Sequence, residues 1–576
     1  GNFFRFQVPS LVMKFCSGIV NDLLRRSLYY LSDWYLNDIN ESLKLLSASF
    51  YMFFNSLAPA ITFAMLLSDS TTNQIGVLEV LLATSIGGCA FSIFATQPLV
   101  IVGVTGPITI LTISMFNFSK SWRIPFLPFY AWSQLFAALM HVFIAAFNFC
   151  DLIKHATRFS CETFGILIAV IFIYEGVRGI NSYFAHSNIS ATVAMSGIYL
   201  QFIIAVATIF LSLLFLSAQK WIFFTSKLRG MIKDYGVTIA VVLSSAIAYM
   251  GDNINVSVEK LVTPDMFGTS TPRNWLVDLG ALPLWAIAVS FISGLIITVL
   301  FAFDHNISSL MAQAPEYHLK KGTYFHFDFL VLGLCLVITG LLGLPPVSGM
   351  IPHSFLHSRS LIMEVTETGK NIENCKAVDN EMTGNIVDMD CDDHAAVEQQ
   401  YSLQDMEKSV ESKQDISSET SQQEKTLITH FLLEQRLSNL LQSLLIGLMC
   451  FPPFIRYLQC IPRSVLDGLF IILGVLSFDG NQFFSRLVFV LCDSSCRITY
   501  ADSCQYDFLY SLSYKTITTF TIMQLLVCLS IFGVTFTPAV IIFPVLIGVL
   551  IPLRLFVLPK YFNVDCLQII DPINRE

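Results

Sequence analysis

The sequence predicts an all-α polytopic membrane protein whose spans fall as seven plus seven in two related halves. Three observations carry this. The composition, 54% hydrophobic against 13% charged with 50 phenylalanines in 576 residues, lies far from that of soluble globular domains. Apolar runs of roughly 20 residues recur from about residue 44 to residue 558, each long enough to cross a hydrocarbon core. Two stretches, one per half, interrupt that pattern alike: Gln97-Pro98-Leu99-Val100-Ile101-Val102-Gly103-Val104-Thr105-Gly106-Pro107-Ile108-Thr109-Ile110 and Gly343-Leu344-Pro345-Pro346-Val347-Ser348-Gly349-Met350-Ile351-Pro352.

In each interruption an extended apolar run reaches a small hydroxyl residue and Gly, then an apolar segment beginning at or near Pro. Proline suits a first helical turn, where its missing N–H would be unpaired anyway, and Gly permits the sharp turn before it. Such a break inside a bilayer is tolerated only where it is buried in protein or lines a polar cavity. A helix start carries partial positive charge and free donors, so two of them facing each other near the midplane form an anion site. Broken segments in corresponding positions of two halves mark an inverted-repeat transporter. The residues expected to line the site from these stretches are Gln97, Thr105, Gly106, Ser348 and Gly349, with the two hydroxyls in matching positions.

Taken in order, residues 1–43 are amphipathic and basic, show no signal-peptide pattern, and read as a cytoplasmic segment at the membrane surface. The first repeat, 44–250, holds spans near 44–67, 77–95, 99–117, 126–148, 161–181, 195–218 and 237–250. An extracellular loop, 251–282, leads to the second repeat, 283–560, with spans near 283–303, 327–342, 351–362, 437–454, 462–478, 514–532 and 536–557. Lys154 and Arg158, then Lys220, Lys227, Arg229 and Lys233, then Lys320 and Lys321 fall in alternate loops, which places both termini, including the tail 561–576, in the cytoplasm. Lys120 and Arg123 depart mildly from that bias.

Charge is unevenly divided. Residues 363–425 hold 16 acidic and 5 basic residues, so the rest of the chain carries +2 of the overall −9. This polar stretch cannot bury enough apolar surface to offset its ordering entropy and reads as a disordered, acidic cytoplasmic loop. The near-neutral body gives no basis for nucleic-acid binding. The 14 cysteines are mostly scattered through apolar segments, and Cys492, Cys496 and Cys504 with Asp493 fit no zinc spacing. No cofactor and no metal follow, and no nucleophile or nucleotide loop points to an enzyme.

Asp304 is the leading functional candidate. It closes a long span without other charge, and an acid inside a membrane helix faces a polar cavity or a partner and can exchange a proton. If the helix ends at 303 the acid merely sits at the interface; if it continues through Asn306-Ile307-Ser308-Ser309, the acid lies within the membrane. Asn55, ahead of the kinking Pro59, either lines the same pocket or makes a helix-to-helix hydrogen bond. His353 and His357 share one face of the tenth span, as pocket lining or packing rather than metal ligands, and Ser354 lies beside them. Glu175 and Arg178 form an i, i+3 pair, and Glu434-Gln435-Arg436 reads as a cytoplasmic anchor.

These motifs, together with Phe303-Asp304-His305-Asn306, Glu434-Gln435-Arg436 with Ser438-Asn439, and Ile461-Pro462-Arg463-Ser464-Val465-Leu466-Asp467-Gly468-Leu469-Phe470, resemble the bicarbonate and borate anion-transporter superfamily, and most of all its fungal borate exporters. Gly18-Ile19-Val20-Asn21-Asp22 and Ile551-Pro552-Leu553-Arg554 extend the likeness to nearly the whole chain outside 363–425. The resemblance implies fourteen spans divided into a core domain (spans 1–4 and 8–11) and a gate domain (5–7 and 12–14), a homodimer, and an elevator-like movement. It places Asp304 at the family's eighth-span acid and the segments starting at Thr105 and Ile351 at its facing half-helices. One departure falls at the tenth: Pro-Gln-(Ala/Ser)-Pro-(Leu/Met)-His is expected, and Pro352-His353-Ser354-Phe355-Leu356-His357 stands there. The expected function is export of borate or a related small inorganic anion across the plasma membrane, coupled to protons or a counter-ion through Asp304 or His353. The alternatives are a bicarbonate transporter of the same fold and a non-transporting receptor or sorting scaffold that works through the acidic loop.

Overall fold

The computed structural model describes residues 15–36, 38–151, 157–185, 192–252, 258–264, 266–314, 317, 319–367, 427–504, 506, 508–537, 540 and 542–572. Its first half runs α1 (Ser17–Ser27), α2 (Ile39–Ser70), α3 (Val77–Phe94), strand β1 (Val102–Gly103), α4 (Gly106–Ser121), α5 (Phe126–Ala146), α6 (Arg158–Ala185), α7 (Thr192–Leu216), α8 (Ser226–Asp234) and α9 (Gly236–Asp252). The second half runs α10 (Leu284–Ala312), α11 (His326–Leu342), β2 (Ser348–Gly349), α12 (Ile351–Ser360), β3 (Ile362–Glu367), β4 (Leu427–Leu432), α13 (Leu437–Leu448), α14 (Arg463–Leu476), α15 (Gln482–Leu491), α16 (Tyr514–Val534) and α17 (Phe543–Pro552). Short helical turns lie between several of the later helices.

Among the described residues eight helices are long and apolar enough to cross a bilayer, and a ninth is added if α8 and α9, bent by 69°, count as one span. The expected spans are therefore not all of membrane length: α12, α13 and α14 have 10, 12 and 14 residues. Span 283–303 is instead too short, because its helix continues to Ala312. Helix α15, amphipathic with Arg486 buried and Leu491 exposed, was not expected. On α7, Tyr199, Phe202, Ile203, Val206, Phe210 and Leu213 stand exposed at helical spacing, as lipid-facing residues do.

A second compact unit, Ile362–Leu433, contains the antiparallel pair β3–β4, with Ile362 opposite Leu432 and Glu367 opposite Leu427. Residues 363–367 thus leave the expected disordered loop, since their backbone pairs in register from Met363 opposite Phe431 to Glu367 opposite Leu427. The rest of that expected loop, 368–425, lies outside the described residues.

Packing divides the helices of the larger unit. α5 lies on α10 and α11, and α3 on α13, while α14 lies on α6 and α7, and α16 on α6. One apolar cluster draws mainly on α2–α5, α10, α11 and α13, through residues such as Phe63, Leu81, Phe129, Phe301, Phe329 and Ile446, and includes Leu466 and Phe470 of α14. Another draws mainly on α6 and α15–α17, through Phe159, Phe164, Phe483, Phe520 and Ile547, and includes Phe303 and Ile307 of α10.

Local chemistry fixes the helix ends. Asp38 accepts from the Ile39 amide at the start of α2, and Glu79 accepts from the Gly76 amide at 3.0 Å at the start of α3. Asp22 of α1 accepts from the His326 and Phe327 amides at the start of α11. Gly343 ends α11 at φ 63°, a left-handed turn suited to Gly, with the Arg273 guanidinium on the Leu342 and Gly343 carbonyls.

The two charged segments expected at the membrane surface are buried together. Asp33 is fully buried because Arg26, Lys321 and Arg436 converge on its carboxylate at 2.6, 2.7 and 3.0 Å. Arg436 also donates to the Ser92 carbonyl and lies 4.7 Å from the Tyr30 ring centroid. Glu434, beside this cluster, accepts from the Lys320 and Lys321 amides, while burial pushes its carboxyl pKa above the ordinary value. Glu434 and Arg436 are therefore joints of the fold rather than a surface anchor. Glu175 and Arg178 do pair, 3.5 Å apart, with Arg178 largely exposed.

Candidate functional site

The site is built where the two broken segments cross. β1 and β2 pair antiparallel, Val102 opposite Gly349 and Gly103 opposite Ser348, so each half contributes two residues to one short ladder. Every carbonyl from Pro98 to Ile101 has a donor, as buried backbone requires. Asn439 donates to the Pro98 and Val100 carbonyls at 3.0 and 2.9 Å, His357 to the Leu99 carbonyl at 2.8 Å, and the Met350 amide to the Ile101 carbonyl at 2.8 Å. Asp328 accepts from the Thr96 and Gln97 amides, and Ser354 Oγ accepts from the Ile101 amide at 3.0 Å.

The half-helices leave this ladder in register. Gly106 and Ile351 are the first helical residues, Pro107 and Pro352 the second, and Thr105 and Met350 the caps. Thr105 therefore matches Met350, and Ser348 matches Gly103, its own ladder partner. The expected equivalence of Thr105 and Ser348 is corrected, because both helices start one residue before their Pro, which puts Thr105 immediately before its helix and leaves Ser348 three residues upstream of Ile351.

α10 runs continuously through residue 304, and Asp304 is only 3% exposed, so the acid lies within the helix and not at its end. The Thr105 hydroxyl makes no cap hydrogen bond to its own helix and donates instead to Asp304 Oδ2 at 3.1 Å. Ser348, fully buried, approaches the same carboxylate, with its hydroxyl lacking a hydrogen bond of good geometry. The first turns of α4 and α12 receive no side-chain cap. Uncapped helix starts, hydroxyls and a carboxylate thus converge. Gly349 is required here, since a Cβ on it would lie 2.7 Å from Ser308 Cβ and 3.0 Å from His305 Nδ1.

The structure brings Thr105, Gly106, Asp304, Ser348 and Gly349 together. Asn55, Gln97, His353 and Ser354 are placed otherwise. Pro59 has no N–H, which frees the Asn55 carbonyl from its own helix, and His353 Nε2 donates to that carbonyl at 3.0 Å. The Asn55 side chain turns back onto the Tyr51 carbonyl, so it makes no helix-to-helix bond. Gln97 is fully buried, and among the described residues neither atom of its side-chain amide has a hydrogen-bond partner. Ser354 is held between the Ile101 amide and Ser308 Oγ, 2.7 Å away. His357 is fully buried between the Leu99 carbonyl and Ser438 Oγ, so it packs the crossing.

Sequence reasoning did not single out Ser308 or Asn439. Ser308 follows Asp304 by four residues and so shares its helix face, a signal that was available. Asn439 stands in one of the motifs of the resemblance, but its partners were not readable locally, because they lie more than three hundred residues away.

A family model described as the HCO3- transporter integral membrane domain matches residues 14–199, 190–388 and 407–575. The chain is 32% identical to the probable boron transporter 7 of Arabidopsis thaliana, with 97% of this chain and 88% of that protein covered. It is 29% identical to boron transporter 1 of Saccharomyces cerevisiae, with 96% and 85% covered. The solved structure of SLC26A9 matches at 11% identity with a TM-score of 0.53, over 95% of this chain and 70% of that one, a likeness of fold. This multi-pass membrane protein therefore belongs to the family of HCO3- transporter integral membrane domains, a family of transporters and not of enzymes.

Proposed function

We propose that the chain is a secondary active anion transporter that exports borate, B(OH)4−, across the plasma membrane. The observation that carries this reading is the Asp304–Thr105 hydrogen bond at the crossing of two broken helices. A tetrahedral monoanion with four hydroxyls accepts from uncapped helix starts and donates to a carboxylate, and both partners are present there. The names of the plant and yeast relatives support borate. Proton exchange at Asp304 couples the movement to a gradient.

The mechanism is elevator-like alternating access by a homodimer of fourteen-span protomers with cytoplasmic termini. The core comprises α2–α5 and α10–α13, and the gate comprises α6–α9, α14, α16 and α17. The two apolar clusters, one centred on each group, support this division. Bicarbonate, which also carries a hydroxyl, is the second reading, favoured by the description of the matching family.

The test is intracellular boron in cells lacking their own exporter, challenged with boric acid and supplied with the wild type or Asp304→Asn. The wild type is expected to lower boron and the variant to lose at least about tenfold of that flux. Full flux in the variant removes Asp304 from the site. No effect of the wild type, with bicarbonate flux present in vesicles, replaces borate by bicarbonate.

A further inference from the structure

The candidate site is closed in this conformation. Thr105 is 8% exposed and Asp304 3%. Gly106, the first residue of α4, has no space for a side chain. A Cβ there would lie 2.4 Å from Cε1, 2.8 Å from Cζ and 3.7 Å from Cδ1 of Phe172, and these are its three nearest neighbours. The Phe172 ring therefore rests on the backbone of Gly106, the residue that follows Thr105 at the start of the first half-helix.

Phe172 is also out of place on its own helix. Its neighbours on α6, Phe159, Phe164, Ile166, Leu167 and Ile171, belong to the second apolar cluster. Phe172 packs instead against the first cluster. Phe63 of α2 and Phe470 of α14 complete a triangle of rings, with centroids 5.4 and 6.3 Å from Phe172 and 6.1 Å from each other. An aromatic edge at an uncapped helix start keeps out water and anions, because it offers no atom that can replace an anion's hydration.

We propose that Phe172 is the gate residue of the anion site: its ring covers the start of α4 in this conformation, and its withdrawal with α6 admits the anion to Thr105 and Asp304. This rests on the transport reading given above. The ring acts by occupying the place where the anion must approach. Gly106 is what allows the ring to seat, since it is not in a left-handed conformation and its three nearest neighbours are all ring atoms.

The test is a four-variant cycle of wild type, Gly106→Ala, Phe172→Ala and the double variant. Borate flux per folded molecule and thermal midpoint are measured on the full-length protein in proteoliposomes and detergent. Gly106→Ala is expected to reduce flux about tenfold, because its methyl group collides with the ring. Phe172→Ala is expected to transport at least as fast as wild type per folded molecule, even with a lower midpoint. The double variant is expected to recover flux to within about threefold of Phe172→Ala, the recovery that only directly interacting residues show. Gly103→Ala, whose methyl group would meet Met350 and Thr84 instead, is the control that Phe172→Ala should not rescue. A double variant as slow as Gly106→Ala overturns the proposal, as does a Phe172→Ala protein slower than wild type per folded molecule. If wild type moves bicarbonate and not borate, the borate reading falls and the cycle is read with bicarbonate. If it moves neither, the transport reading and this inference fall together.

Discussion

The half-helices α4 and α12 share a start, with extended backbone before the first turn and Pro at the second helical position, yet their side chains divide the work. α4 has 16 residues and a cap, Thr105, whose hydroxyl is given to Asp304. α12 has 10 residues and an apolar cap, Met350, and its polar residues are committed to the scaffold. His353 holds the Asn55 carbonyl, Ser354 the Ile101 amide, His357 the Leu99 carbonyl and Ser358 the Ala312 carbonyl. Symmetry in the backbone therefore does not extend to the chemistry. One arm presents the site, and the other holds the crossing in place.

This contrast can be broken most severely at His357. Replacing it by Ala leaves the Leu99 carbonyl without its donor, leaves Ser438 with Gln435 alone, and opens a cavity, at a cost of about 2–5 kcal/mol. A clear fall in thermal midpoint in detergent is expected, and an unchanged midpoint would show that α12 does not secure the crossing. At the other arm, Thr105→Val keeps the volume and removes the hydroxyl. Its flux is expected to drop roughly tenfold while the midpoint moves little, since about 1–2 kcal/mol of hydrogen bonding lies at the site. Met350→Leu, the same position in the second repeat, is expected to cost less than about 1.5 kcal/mol and to leave flux near wild type. Equal losses at Thr105 and Met350 would abolish the asymmetry. The smallest effect is expected from excising 368–426, which lies in neither half-helix: flux should persist, and its disappearance would favour the scaffold reading, in which the acidic loop is the working part.

Much of the site was legible because the signals are local. Pro107 and Pro352 mark helix starts, and an acid within an apolar run, Asp304, is costly enough to need a purpose. The continuation of α10 past residue 303 was also readable as a possibility, in the polar but helix-compatible run after Asp304. At His353, pocket lining and packing are both open in the sequence; one ring nitrogen serves a carbonyl freed by Pro59 on another helix, a partner that no local pattern announces. Glu434 and Arg436 read as a cytoplasmic anchor, because nothing near them in sequence announces Asp33.

Sequence by itself determined the membrane class, the two interruptions and the acid, each following from composition or from the backbone limits of Pro and Gly. Tertiary structure decided which residues meet. The matching of Thr105 with Met350, the burial of Asp33 beneath three cations and the seating of Phe172 on Gly106 all depend on partners far apart in the chain. With 50 phenylalanines in the sequence, no local pattern distinguishes the one that rests on a helix start. The physical reason is that hydrophobic burial is non-directional, so it selects an apolar residue for the interior without specifying its neighbour, and packing specifies the neighbour.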